Sequence, residues 1–311
     1  MAKAKKPGSK TAAKVSSRGK RPTAAKRKVP AAAKAAQAPV LLRPVPLYEF
    51  TTAGLAGHVR LTDPGRGITF SAGAEGKPLP AFSQEVLSLR HYLARADSGL
   101  LAPREESACE GKIDKQTVVF SYERPPSWPV TASARYQLLP EGGADASFAF
   151  SFAKPLWGFE AGIETLMPRY HPSVYVHSGG AWVRAVPGPQ AQRFYPRNLR
   201  AAELIADGRW DALRLAGIAL AVEPQGYDYP VVVVRDERTG WALVYMALTE
   251  ECSSVWVNGA HRTIGLALVG ADVKAQSTAN CRLRVALCQA GRLDDALSHY
   301  RGFVQEARGR Q

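Results

Sequence analysis

From Ala146 to Arg184 the chain reads ASFAFSFAKPLWGFEAGIETLMPRYHPSVYVHSGGAWVR. Phe148, Phe150 and Phe152 alternate with small residues, the period of a strand with one face buried. Lys154-Pro155 breaks the run. Read as a second strand, the next segment puts Glu160, Gly162 and Glu164 on one face. After Pro168, a third puts His171, Ser173, Tyr175 and His177 on one face by the same period of two. Gly179-Gly180 then turns the chain into Trp182-Val183-Arg184. Carboxylates, imidazoles and aromatic rings converge in the middle of a β-rich body.

The rest of the chain supports that body. Tyr48–Thr52, His58–Leu61 and Ile68–Ser71 read as short strands, with Asp63-Pro64-Gly65 as a turn. Phe82–Ala94 fits a helical face through Val86, Leu89 and Leu93. It also fits a strand, which its β surroundings favour. Thr117–Tyr122 is a strand ended by Pro125-Pro126. Val130–Leu139 and Ala146–Phe152 form a hairpin across a Pro-Glu-Gly-Gly-Ala-Asp loop. Asn198–Asp207 has an N-cap candidate and helical spacing, with Gly208 as a stop. Strands resume at Ala219–Val222, Val231–Arg235, Trp241–Leu248, Ser254–Asn258, Thr263–Val269 and Arg282–Leu287. Leu293, Leu297, Tyr300 and Val304 make one face of a last amphipathic helix. Many short strands without βαβ alternation or a fixed repeat predict an all-β protein. The expected form is a large antiparallel β-sandwich, or supersandwich, with a short crossing helix and a C-terminal helix.

Charge divides the 311 residues in two. Residues 1–43 hold 13 of the 41 Lys and Arg and no Asp or Glu, leaving 28 basic against 27 acidic residues in the body. The Lys/Ala/Pro-rich tail has too little apolar surface to offset its ordering entropy, which predicts disorder over 1–43 and a single domain over 44–311. Such a tail suits a non-specific tether to nucleic acid or another polyanion, or a solubilising extension. No segment approaches the length of a membrane span, and no apolar run follows the basic start as in a secretory signal. Cys109, Cys252, Cys281 and Cys288 lack metal-ligand spacing and read as free thiols of a cytoplasmic protein.

The hairpin VTASARYQLLPEGGADASFAFSF resembles the paired strands of the galactose mutarotase-like supersandwich, and IGLALVGADVKAQSTANCRLRVAL is similar to its closing strands. The likeness spans residues 47 to 290 as a pattern of strands. Aldose epimerases carry a His-x-Tyr-Phe-Asn type of segment and a late catalytic Glu. Here Tyr170-His171-Pro172 and Tyr175-Val176-His177 stand near that place without the Phe-Asn. The resemblance implies a fold and a carbohydrate ligand.

The candidate acid–base residues are Glu164, His171 and His177, with Glu160 as a second carboxylate. Exchange at an anomeric carbon needs a base for the hydroxyl proton and an acid for the ring oxygen, and a Glu and a His supply that pair near neutral pH. His171 and His177 lie about 20 Å apart along an extended strand, too far to share one metal unless it bends. Aromatic rings suit the flat C–H face of a sugar. The substrate-binding candidates are Trp157, Glu160, Tyr170, Tyr175, Trp182, Tyr227, Asp228 and Tyr229, the last three in the loop EPQGYDYP. Glu250-Glu251 offers a late carboxylate, with a solvated strand end as the plainer reading. No GxSxG, GxxxxGK[ST] or HExxH is present, and no cofactor is expected. Two classes stay open: an enzyme acting on a sugar by Glu/His chemistry, and a non-catalytic carbohydrate-binding or scaffold domain tethered through its tail.

Overall fold

The computed structural model describes residues 41–43, 47–62, 66–73, 84–95, 100–101, 107–167, 173–185, 188–195, 208 and 210–309. The strands are β1 (Leu41–Arg43), β2 (Tyr48–Thr51), β3 (Leu55–Arg60), β4 (Gly67–Gly73), β5 (Gln84–Leu93), β6 (Leu100–Leu101), β7 (Cys109–Asp114), β8 (Thr117–Tyr122), β9 (Val130–Leu138) and β10 (Gly143–Phe152). After them come β11 (Leu156–Leu166), β12 (Ser173–Ser178), β13 (Ala181–Ala185), β14 (Ala191–Phe194), helix α1 (Asp211–Leu215), β15 (Leu220–Val222), β16 (Val231–Arg235), β17 (Trp241–Ala247), β18 (Cys252–Asn258), β19 (Thr263–Val273), β20 (Ser277–Gln289) and helix α2 (Asp294–Gly309).

Two large sheets dominate. The nine-stranded one runs β13-β12-β16-β17-β20-β10-β9-β8-β7, and the seven-stranded one runs β15-β14-β18-β19-β11-β5-β6. A four-stranded meander, β1-β2-β3-β4, completes the body. Pairing is antiparallel except between β14 and β15. The all-β sandwich expected from the alternation is the fold observed. Among the described residues the first strand is β1, inside the stretch assigned to the tail, and it pairs with β2. Asp63-Pro64-Gly65 and Asn198–Asp207 lie outside the described residues. The ambiguous 82–94 stretch is strand β5. None of the described helices is long and apolar enough to cross a membrane.

Alternation places the core. Phe148, Phe150 and Phe152 of β10 point at the seven-stranded sheet, where Phe159, Ala161 and Ile163 of β11 point back. The Phe152 and Phe159 rings meet edge to face at 4.9 Å, a geometry favoured by the aromatic quadrupole. Tyr136 adds its ring to this layer and donates its hydroxyl to Leu87 O at 2.7 Å. Val231–Val234 is a continuous apolar run because both faces of β16 are buried. Val232 and Val234 enter the inter-sheet core, while Val231 and Val233 meet Ala296, Tyr300, Phe303 and Ala307 of α2.

Phe159 is fully buried between Tyr92, Trp128, Phe150 and Phe152. Phe159→Ala should cost about 3–5 kcal/mol. Urea unfolding should show a lower midpoint with an unchanged slope.

Candidate functional site

β11 sends Phe159, Ala161 and Ile163 into the core, so Glu160, Gly162 and Glu164 face the outer side of the seven-stranded sheet. The registers assemble a row across that face. Arg193 of β14 lies opposite Trp256 of β18, Trp256 opposite Gly265 of β19, Gly265 opposite Glu164, and Glu164 opposite Ser88 of β5. The next row runs Ser254, Ala267, Gly162, His91. Opposed residues of an antiparallel ladder share a face, so these side chains pack together.

Glycine makes the packing possible. A Cβ at Gly265 would collide with the Trp256 ring, and one at Gly162 with the His91 ring. The two rings therefore lie flat on bare backbone, the close approach that an isolated strand glycine marks. The Arg193 guanidinium sits 4.5 Å from the centre of the Trp210 ring and 5.2 Å from that of Trp256. His91 follows, 5.7 Å from Trp256. Cation–π attraction strengthens when water is excluded, and Arg193 is only 2% exposed.

Glu160, fully buried, neutralises that cation. Its carboxylate accepts from Arg193 Nη2 at 2.5 Å, Ser253 Oγ at 3.0 Å and Trp210 Nε1 at 3.3 Å. Arg193 Nε donates to Ser254 Oγ at 2.9 Å. A register shift between Cys252 and Ser254 marks a bulge, and such an irregularity brings neighbouring Ser253 and Ser254 into one network.

Glu164 differs from Glu160 in reaching solvent, with 18% of its side chain exposed. Burial raises its pKa, opposed by the Arg90 charge and by a hydrogen bond from Trp256. Arg90 Nε lies 3.6 Å from Glu164 Oε2. Burial also holds the His91 imidazole down at about 3, helped by the charges of Arg193 and Arg90. His91 Nε2 is buried with no hydrogen-bond partner among the described residues.

The other candidates fall elsewhere. β11 and β12 belong to different sheets. Val174 and Val176 face the inter-sheet core, so Tyr175 and His177 face outward from the nine-stranded sheet. Glu164 and His177 are thus not brought together: the sandwich core lies between them. His177 instead joins Asp228, Nδ1 to Oδ2 at 2.9 Å, and the same oxygen accepts from Gly180 N at 2.7 Å. Trp182 and Tyr229 each place a ring 5.2 Å from His177. Trp182 Nε1 donates to Asp294 at 3.1 Å, and the Tyr175 hydroxyl to Glu237 at 2.6 Å. Tyr227 is a core residue whose hydroxyl donates to Cys252 O at 2.6 Å. Trp157 stands half exposed at the start of β11. Glu251 is tied to the Arg282 backbone N–H. Tyr170 and His171 lie outside the described residues.

Sequence reasoning missed Arg90, His91, Arg193, Trp210, Ser253, Ser254 and Trp256. The signal available was Gly162 and Gly265, each alone inside a strand.

No family model matches the chain, and no curated protein matches its sequence. Among solved structures, the α-N-acetylgalactosaminidase NagBb from Bifidobacterium bifidum, as its GalNAc complex, is similar with a TM-score of 0.52 and 12% identity. That match covers 83% of this chain and 39% of the enzyme. A quadruple mutant of NagBb gives 0.51 at 13% identity, with the same coverage of both chains. The GalM/aldose epimerase homologue from C. elegans gives 0.45 at 8% identity, covering 79% of this chain and 99% of that one. The shared feature is the β-sandwich fold, seen against NagBb. At these identities the likeness concerns the fold alone, and this chain spans only about two fifths of NagBb.

Two measurements probe the network. Glu160→Gln leaves Arg193 buried without its counter-charge and should cost about 3–5 kcal/mol in urea unfolding. His91 has a folded pKa near 3 against about 6.5 unfolded. The unfolded chain therefore binds the extra proton between those values, and the contribution of His91 to stability is lost as pH falls through that window. Glu164, shifted upward, acts with the opposite sign. The stability difference between wild type and His91→Gln should therefore shrink from pH 7 to pH 4.

Proposed function

We propose that the protein binds a carbohydrate on the outer face of the seven-stranded sheet, at Glu164. The observation that carries this reading is the Glu164 carboxyl group: it reaches solvent, its pKa is raised, and it stands beside Arg90 and the Trp256 indole. A carboxyl and a guanidinium hydrogen-bond vicinal hydroxyls. The fold likeness to a sugar hydrolase described with GalNAc supports a sugar as the ligand class.

Binding is favoured over turnover by His91. An imidazole whose pKa lies near 3 is a weak base at neutral pH, while proton abstraction works best with a pKa near the operating pH. The acid–base reading pairs Glu164 with His171. It predicts anomer exchange by the wild type that His171→Ala abolishes.

Glu164→Gln keeps the shape and removes the charge. It should weaken binding of galactose or N-acetylgalactosamine about ten-fold, the loss of one charge-assisted hydrogen bond, with little change in melting temperature. Calorimetric titration checks this. Unchanged affinity in the variant would move the ligand away from this face.

A further inference from the structure

We propose that the outer face of the nine-stranded sheet carries a separate oxyanion site beside the last turns of α2. Arg135 of β9 lies directly opposite Ser147 of β10, and Ser147 directly opposite Arg282 of β20. Phe148 faces the inter-sheet core, so this row of two arginines around a hydroxyl faces outward. Strands two apart in a sheet are about 9.6 Å apart, a gap that two arginine side chains close over the intervening serine. The row lines a cavity of about 90 Å³ against the helix. Pockets that enclose a whole small molecule run to roughly 300–1,000 Å³. This one suits a single phosphate group, with the remainder of any ester outside.

Charge accounting separates the three arginines there. Arg284 is neutralised: its guanidinium binds Asp145 at 2.5 and 2.9 Å and Glu306 at 2.8 Å. Arg282 donates from Nη1 to Ala307 O at 2.7 Å; Glu251 accepts from its backbone N–H and attracts its guanidinium charge without forming an ion pair with it among the described residues. Among the described residues no carboxylate forms an ion pair with the side chain of Arg135 or Arg282. Two guanidiniums and a hydroxyl around a small cavity match the charge and donor geometry of a tetrahedral oxyanion. The Asp145–Arg284–Glu306 cluster holds one wall rigid. Nothing in this site is shared with the Glu164 face.

The test titrates inorganic phosphate into the full-length protein by calorimetry at low ionic strength, with Arg135→Gln alongside. Both proteins carry the same basic tail, so anion binding to that tail cancels in the comparison. Arg135 is exposed, and its replacement should leave the melting temperature unchanged. Binding should weaken about ten-fold or more, the loss of a charge-assisted contact. Ser147→Ala, a second exposed position, should weaken binding by a smaller factor. Glycerol 3-phosphate forms the other arm. Tighter binding than phosphate, lost in the same variant, assigns an ester ligand, and equal binding assigns the free ion. Equal isotherms for wild type and both variants, or no binding by wild type, would overturn the site.

Discussion

A guanidinium and a carboxylate removed almost completely from water hold the outer face of the seven-stranded sheet in place. Arg193 and Glu160 are 2% and 0% exposed. Burying either charge alone costs several kcal/mol, and each is tolerable because the other and a set of hydrogen bonds are there. The pair joins β14 to β11 across two intervening strands, β18 and β19. It also positions Trp210, from the turn into α1, and the Trp256 ring. Through Trp256 the order reaches Glu164. The solvent-reaching carboxyl therefore stands on a support built from charge, indole and bare glycine backbone.

Much of the fold was legible because the alternation is local. Phe148, Phe150 and Phe152 announce a strand with one buried face, and their hairpin partner is the strand just before it in sequence. The face of β11 carrying Glu160 and Glu164 was equally legible, since one strand suffices to define it. Its partners were not. Arg193, Ser253, Trp256 and His91 reach the face only through register between strands far apart in sequence, and period two says nothing about which strands are neighbours. His177 shows the same gap: β11 and β12 are consecutive in sequence yet belong to different sheets, and no local pattern encodes that step.

The two outer faces have different characters. The face around Glu164 keeps its charges in a desolvated network, so small changes in packing act on protonation. The face beneath α2 is apolar along β16 and β17 and polar near β9, β10 and β20, where Arg284 makes its two carboxylate contacts. Tyr175, His177, Trp182, Asp228 and Tyr229 form a third cluster at the hairpin of β12 and β13, held by the Gly179–Gly180 turn with both residues at positive φ.

Strand β10 pairs with β9 on one side and β20 on the other. Its first partner is made just before it, whereas Val285, which faces Ala144, emerges from the ribosome about 140 residues later. At ordinary synthesis rates that interval lasts on the order of 10 seconds. Throughout it, one edge of β10 has unsatisfied backbone donors and acceptors beside three phenylalanines. Such an edge is a template for pairing with another chain. The centre of the nine-stranded sheet is therefore where a nascent copy is most exposed to association with its neighbours on a polysome.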